Sequence, residues 1–118
     1  MSNKPKFFWG KHKRMWDILA RTGVPIKDLA FSVMNEDKIP MNGCYACEAR
    51  TSQQKIYFCA SGSCPLNWGI DETYACERGL YREWVNAKAI RKRMRLAASI
   101  RDLPLSENAR EMYEVIDD

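Results

Sequence analysis

The chain has a single histidine, His12, and this scarcity removes most acid–base and triad mechanisms at once. It also lacks a paired-carboxylate site, a glycine-rich phosphate loop and a nucleophile elbow. We therefore predict no catalytic residues and expect the protein not to be an enzyme. A metal-dependent enzyme is the weakest of the alternatives.

Long apolar segments are also missing. No run approaches the roughly 18 apolar residues that a membrane-spanning helix needs. The run Phe7-Phe8-Trp9 ends at Gly10 and Lys11, so no signal-peptide core follows the basic N-terminus. We therefore expect a cytoplasmic protein with no membrane partner. A hydrophobic fraction of 46% is sufficient for a packed core, and 118 residues suit one domain spanning 1–118.

Five cysteines are the most informative residues that the chain does have. Four of them form two close pairs, Cys44-Tyr-Ala-Cys47 and Cys59-Ala-Ser-Gly-Ser-Cys64, with eleven residues between the pairs. Spacings of about two to four residues within a pair are typical of zinc knuckles, whose tight turns direct successive thiolates at one tetrahedral ion. Four thiolates leave no open coordination position. We therefore predict one structural Zn²⁺ per chain, bound by Cys44, Cys47, Cys59 and Cys64.

Other roles for these side chains stay open. Cys76 is either a buried free thiol or a replacement for Cys59 as the fourth ligand. His12 is either a hydrogen-bonded core histidine or the histidine of a Cys₃His site. Disulfides fit an odd cysteine count in a reducing cytosol poorly. A thioredoxin-like role for Cys44 and Cys47 lacks the strand-then-helix context, and the zinc-deaminase signature is not matched.

Helical periodicity predicts most of the fold. The fold class is mainly α, a compact helical domain with an irregular zinc-knuckle loop region, although a small α+β fold also fits. The only good strand candidate is short, at 55–59. The predicted parts of the domain are N-terminal helices at 6–34, a zinc-binding loop region at 40–76, a long basic amphipathic helix at 79–102 and a C-terminal helix at 106–117.

The predicted core joins the first helix, from about Lys6 to Thr22, to the long helix. Gly23 and Pro25 should end that first helix. In the short second helix, Leu29, Ala30 and Val33 are expected to face inward. Much of the core should come from five side chains with helical spacing: Trp16, Leu19, Trp84, Ile90 and Met94.

Charge is unevenly distributed along the chain. Residues 77–101 carry eight Lys or Arg against two Glu, whereas residues 102–118 carry one Arg against six acids. On the long helix, four cations with spacing i, i+3, i+4 and i+7 form a predicted basic stripe: Lys88, Arg91, Lys92 and Arg95. Such a stripe tracks phosphates, faces solvent without a ligand, or pairs with the acidic C-terminal segment. No base-reading motif accompanies it.

Several segments together resemble a group of small, uncharacterised phage and prophage proteins. The matching segments are His12-Lys-Arg-Met-Trp16-Asp-Ile-Leu19-Ala, Cys44-Tyr-Ala-Cys47-Glu-Ala, Cys64-Pro-Leu-Asn-Trp68, and Cys76 followed by Leu80-Tyr-Arg-Glu-Trp84. The group typically has two residues between its second pair of cysteines, whereas this chain has four. This departure makes Cys59 the least certain ligand. The resemblance implies a phage or mobile-element origin, presumed metal binding and no established activity.

These observations lead to an expected function without catalysis. We expect a phage-type, zinc-stabilised interaction protein that binds and modulates a host macromolecule, for which the resemblance suggests a protein such as a defence-system component. It would act in the cytoplasm of an infected or lysogenic bacterium. The alternative is a nucleic-acid-binding accessory protein that uses the basic stripe. The sequence makes no prediction about the oligomeric state.

Overall fold

The protein is mainly helical, as the sequence predicts. A computed structural model describes residues 4–36, 44–46, 49, 65–67, 79–107 and 109–117. The elements in this part of the chain are β1 (Lys6–Phe8), α1 (Trp9–Thr22), α2 (Lys27–Val33), α3 (Leu80–Asn86), α4 (Ile90–Arg101), α5 (Ala109–Met112) and β2 (Glu114–Ile116). The strand candidate at 55–59 and most of the predicted zinc-binding region lie outside the described residues. No helix in the described ranges is long and apolar enough to cross a membrane.

Helix α1 buries Trp16 and Leu19 as the sequence predicts, and it packs mainly against α4. It ends at Gly23, whose φ of 72° is left-handed and whose N–H donates to the Leu19 carbonyl oxygen at 2.9 Å. Glycine suits this position because a side chain would strain the left-handed backbone. The predicted start at Lys6 is wrong, because residues 6–8 form β1 and not a first helical turn.

The predicted single helix at 79–102 is two helices. Ala87 and Ala89 have extended backbones, with ψ of 126° and 130°, so α3 ends and α4 begins anew around Lys88. Neither glycine nor proline marks this break in the sequence. The break is stabilised by Arg93 of α4, whose guanidinium donates to the Ala87 carbonyl oxygen at 3.0 Å. The chain then turns so that α4 lies along α1.

The predicted helix at 106–117 is also wrong. Helix α5 covers only Ala109–Met112, and the chain continues as β2, which pairs in parallel with β1. The register places Lys6 opposite Glu114, Phe7 opposite Val115 and Phe8 opposite Ile116. The pairing anchors Phe7 (0% exposed) in the same core as Tyr113 (1% exposed). A residue more than 100 positions away therefore decides the conformation of this segment.

Three of the five predicted core side chains are buried, namely Trp16, Leu19 and Trp84. Met94 is half-buried, but Ile90 is 55% exposed, so its assignment to the core is wrong. In α2, Ala30 is buried as predicted. Leu29 and Val33 instead face outward, and the buried side chain beside Ala30 is Phe31. The two outward residues stand one turn apart on the same face of the helix.

Candidate functional site

A pocket of about 400 Å³ lies between α2 and α3. The segment Pro25–Asp28 with Phe31 lines one side, and Tyr81, Trp84 and Val85 line the other. Two apolar residues at its rim stay largely in solvent, since Ile26 is 52% and Val85 is 56% exposed. A concave site with an apolar lining is the usual form of a binding site. Leu29 and Val33, on the same short helix, do not line it.

The pocket rests on an aromatic cluster that joins α1 to α3. The Trp16 ring meets the Trp84 ring edge-to-face, with centroids 5.0 Å apart, and Tyr81 lies 6.1 Å from Trp16. The Lys27 ammonium lies 4.4 Å from the Tyr81 ring centroid, close enough for a cation–π contact. Trp84 is 3% exposed and forms the floor, whereas Tyr81 is only half-buried. The cluster fixes the position of α3 relative to α1.

Arg93 fixes the other edge of the pocket. Its guanidinium donates one hydrogen bond to the Gly23 carbonyl oxygen at 2.8 Å and another to that of Ala87 at 3.0 Å. Both carbonyls follow the end of a helix, where the last C=O groups have no partner within the helix. The positive charge also interacts favourably with both helix dipoles. One side chain therefore holds the end of α1, just before Pro25, against the end of α3.

The predicted basic stripe is exposed but interrupted. Arg91, Lys92 and Arg95 lie on the solvent face of α4, whereas Lys88 lies in the link between α3 and α4. In the described part of the chain these four cations form no ion pair and no side-chain hydrogen bond. Because Lys88 lies outside α4, the helical spacing predicted for the four cations does not apply to it.

The acidic C-terminal segment is engaged elsewhere. Its residues 114–116 pair with β1, and its Asp117 approaches Arg110 at 4.0 Å. Lys4 donates to the Arg110 carbonyl oxygen at 3.0 Å, which also directs this segment toward the N-terminus. Among the described residues, the acidic C-terminal segment therefore forms no ion pair with the basic stripe.

Of the five cysteines offered as zinc ligands, only Cys44 lies in the described part of the chain; Cys47, Cys59, Cys64 and Cys76 lie outside it. Within the described ranges no three His, Cys, Asp or Glu side chains come together as a metal site would require. Cys44 is half-buried and packs against the hydrophobic core. Leu66, two residues after Cys64, belongs to the same core and forms an antiparallel bridge with Leu105.

The residue after Cys44 is tied to both N-terminal helices. The Tyr45 hydroxyl donates to Glu36 Oε1 at 2.8 Å, and the Lys11 ammonium lies 2.9 Å from the same oxygen. The Lys11 contact, with a smaller contribution from Tyr45, lowers the pKa of Glu36. The Tyr45 ring also packs against Phe31, with centroids 6.0 Å apart. The start of the first cysteine pair is thus held against α1 and α2.

His12 occupies the position expected of a core histidine. It is 2% exposed, and its Nε2 donates to the Ile100 carbonyl oxygen at 3.1 Å. That carbonyl belongs to the last turn of α4, where C=O groups have no N–H partner within the helix. Burial lowers the pKa of His12 to about 4, and the Lys13 charge adds to this effect, whereas the hydrogen bond to Ile100 opposes it. His12 is therefore neutral at neutral pH.

Comparison with known proteins returns no match: no family model fits the sequence, and no curated protein or solved structure is significantly similar to the chain. The resemblance to phage proteins therefore stays a prediction.

Sequence reasoning missed the pocket and the residue that holds its edge. It gave neither Arg93 nor Tyr81 a role. One signal was available. Tyr81, Trp84 and Val85 fall at i, i+3 and i+4, an aromatic and apolar face on a segment otherwise rich in charge. The contribution of Lys27 has no sequence signal, because it depends on how α2 meets α3.

Proposed function

We propose that this protein is a non-catalytic interaction protein that binds a host protein at the pocket between α2 and α3. The observation that carries the proposal is an apolar rim left in solvent above a fixed aromatic floor. Ile26 and Val85 are each more than half exposed, directly beside the buried Trp84 and Phe31. Apolar side chains grouped around a concave site are typical of macromolecular binding surfaces.

The rigidity of this pocket also favours binding. Its walls belong to two helices that the aromatic cluster and the Arg93 hydrogen bonds hold in place. A site that is already ordered loses little conformational entropy when a partner binds. The resemblance to phage proteins supports a bacterial host partner and a cytoplasmic location.

We further propose that one structural Zn²⁺ stabilises the segment outside the described residues, bound by Cys44, Cys47, Cys59 and Cys64, with Cys76 as the alternate ligand. The support is the cysteine spacing together with the anchoring of Cys44 in the core. Binding of the metal would supply folding free energy to a region with few helical or strand-forming apolar runs. Native mass spectrometry of protein purified without chelator tests the stoichiometry.

Photo-crosslinking in a bacterial cell tests the binding function. A photoreactive phenylalanine analogue replaces Val85 at the pocket rim, Val33 on the outward face of α2, or Glu111 on α5. We expect one discrete protein adduct from position 85, much less from 33, and none from 111. An excess of wild-type protein, which lacks the photoreactive residue, should reduce the yield of the adduct. If no position gives a discrete protein adduct, the protein-binding function is wrong.

Nucleic-acid binding through the basic stripe is the second candidate. The specific observation in its favour is that Arg91, Lys92 and Arg95 are exposed and, within the described residues, form no ion pair with the acidic C-terminal segment. Each phosphate that such a cation neutralises makes affinity more dependent on salt. Titration of a labelled duplex and a labelled single strand at several salt concentrations tests this. Reversal of Lys92 and Arg95 to Glu should flatten the dependence of affinity on salt.

A further inference from the structure

We propose that the segment bound in the pocket is an acidic peptide of the partner, with one apolar side chain inserted between α2 and α3. This inference rests on the proposed protein-binding function and names the chemistry of the partner. It is carried by the volume and lining of the pocket and by the sign of the charge around its rim.

The pocket is large enough for one bulky side chain. Its volume of about 400 Å³ lies near the lower end of the range for ligand pockets, which begins at about 300 Å³. The buried rings of Phe31 and Trp84 form an apolar floor, and the half-exposed Ile26 and Val85 stand at the rim. A leucine, methionine or aromatic side chain would remove these surfaces from water.

The charge at the rim is positive. Lys27 and Asp28 line the α2 side. On the other side, Arg82 is exposed one helical turn before Val85, and Lys88 is exposed in the link that follows α3. Arg93 bridges Gly23 and Ala87, and so holds the Lys88 link near the Pro25 end of the pocket. Among the described residues, these three cations are set against Asp28 as the one acid of the pocket lining, and this balance favours carboxylates on the bound segment.

The same observations disfavour other occupants. A second copy of this chain docked pocket to pocket would place the Lys27, Arg82 and Lys88 cations against their own equivalents, which costs binding energy. A nucleobase would have to stack on Tyr81, but the Lys27 ammonium already lies 4.4 Å from that ring centroid. A flat lipid surface would leave the pocket unfilled. An acidic peptide with an apolar anchor satisfies both the cavity and the charge.

Selection from a randomised peptide library on the intact, metal-loaded protein tests the inference. We expect the enriched peptides to share one Leu, Met, Phe or Trp flanked by Asp or Glu. A synthetic peptide of the enriched sequence is then titrated by fluorescence anisotropy against four variants. Val85→Asp and Lys88→Glu alter the pocket rim. Val33→Asp and Arg95→Glu make the same changes away from it, and all four residues are exposed.

Val85→Asp should weaken the peptide by at least about tenfold, and Lys88→Glu by about threefold or more, whereas each matched control should stay within about twofold. Circular dichroism confirms that each variant is folded. Enrichment of basic or uncharged peptides, or no enrichment, would overturn the inference. So would equal losses in Val85→Asp and Val33→Asp. Self-association or binding to phosphatidylserine vesicles that Val85→Asp abolishes, without peptide binding, would assign the pocket to another occupant.

This outcome is separable from the proposed function. If crosslinks from position 85 persist but the selection gives no acidic peptides, the pocket binds a protein and the partner chemistry is wrong. If neither experiment succeeds, both proposals fail.

Discussion

Protonation of His12 should destabilise the folded protein as the pH falls below neutrality. The imidazole is 2% exposed and donates through Nε2 to the Ile100 carbonyl oxygen. A second ring proton would put a positive charge into this buried site, with the Lys13 charge nearby. Burial is therefore the main reason that the pKa of His12 falls from 6.5 to about 4 in the folded state.

The sign and size of the effect follow from this difference in pKa. Between pH 6.5 and 4 the unfolded chain binds a proton that the folded chain does not, so stability is full above pH 6.5 and falls toward pH 4. The whole difference corresponds to about 3 kcal/mol, since each pKa unit is about 1.4 kcal/mol. About 2 kcal/mol of it is lost between pH 7 and about pH 5.

The upper part of this window suits the measurement best. The ion pairs with Lys11 and Arg101 lower the pKa values of Glu36 and Asp102 below 4.5 and 3.8 respectively, so these carboxylates weaken the fold mainly at lower pH. Release of a thiolate-bound metal also depends on pH. A His12→Gln variant keeps every cysteine and retains an N–H donor for Ile100. Comparison of the two proteins therefore isolates the histidine.

Urea unfolding, followed by tryptophan fluorescence at constant ionic strength, gives the free energy of unfolding at each pH. The wild-type protein should lose about 2 kcal/mol more than His12→Gln between pH 7 and pH 5. The chain has one histidine, so its ring signal in an NMR titration needs no assignment. Parallel stability curves for the two proteins, or a folded-state titration midpoint near 6.5, would refute the reasoning.

Three further predictions concern the helix ends and the metal. Gly23→Ala should destabilise by about 1–2 kcal/mol in thermal unfolding, because it strains a left-handed residue and places a Cβ 2.5 Å from Ile90 Cγ1; adding Ile90→Ala should recover only the steric part. Arg93→Met should cost about 2 kcal/mol in urea unfolding, whereas Arg95→Met, which loses no side-chain hydrogen bond among the described residues, should stay within about 0.5 kcal/mol. Cys44→Ser should reduce the zinc content measured by native mass spectrometry, and unchanged metal would exclude that ligand.

The sequence predicted best what local periodicity determines. In α1, the repeat of buried residues and the glycine with the following proline mark both the face and the end of the helix. The buried side chains His12, Met15, Trp16 and Leu19 have the spacing i, i+3, i+4 and i+7 that one face of a helix requires. Long periodic segments are the most reliable signal because many residues report the same orientation.

The failures are decided by contacts between distant residues. Ala87 and Ala89 break the predicted long helix although alanine favours helices. Arg93 stabilises the extended link because it joins the Ala87 carbonyl oxygen to that of Gly23, which is 70 residues from Arg93 in the sequence. Residues 114–116 leave the helical pattern because β1 offers them a partner strand. In α2, seven residues present two competing apolar faces, Ala30 with Phe31 and Leu29 with Val33. Periodicity alone does not choose between them.

The residues that stabilise this fold and the residues proposed to bind a partner are separate sets, and this separation makes the proposals testable. His12, Gly23 and Arg93 each act at the end of a helix, where they supply hydrogen bonds or a backbone conformation that holds α1, α3 and α4 together. Val85 and Lys88 at the pocket rim are exposed. Substitutions in the first set should therefore lower the free energy of unfolding. They should weaken binding only because a smaller fraction of the protein is folded. Substitutions at the rim should change binding at nearly constant stability, and a rim variant that unfolds the protein would contradict this division.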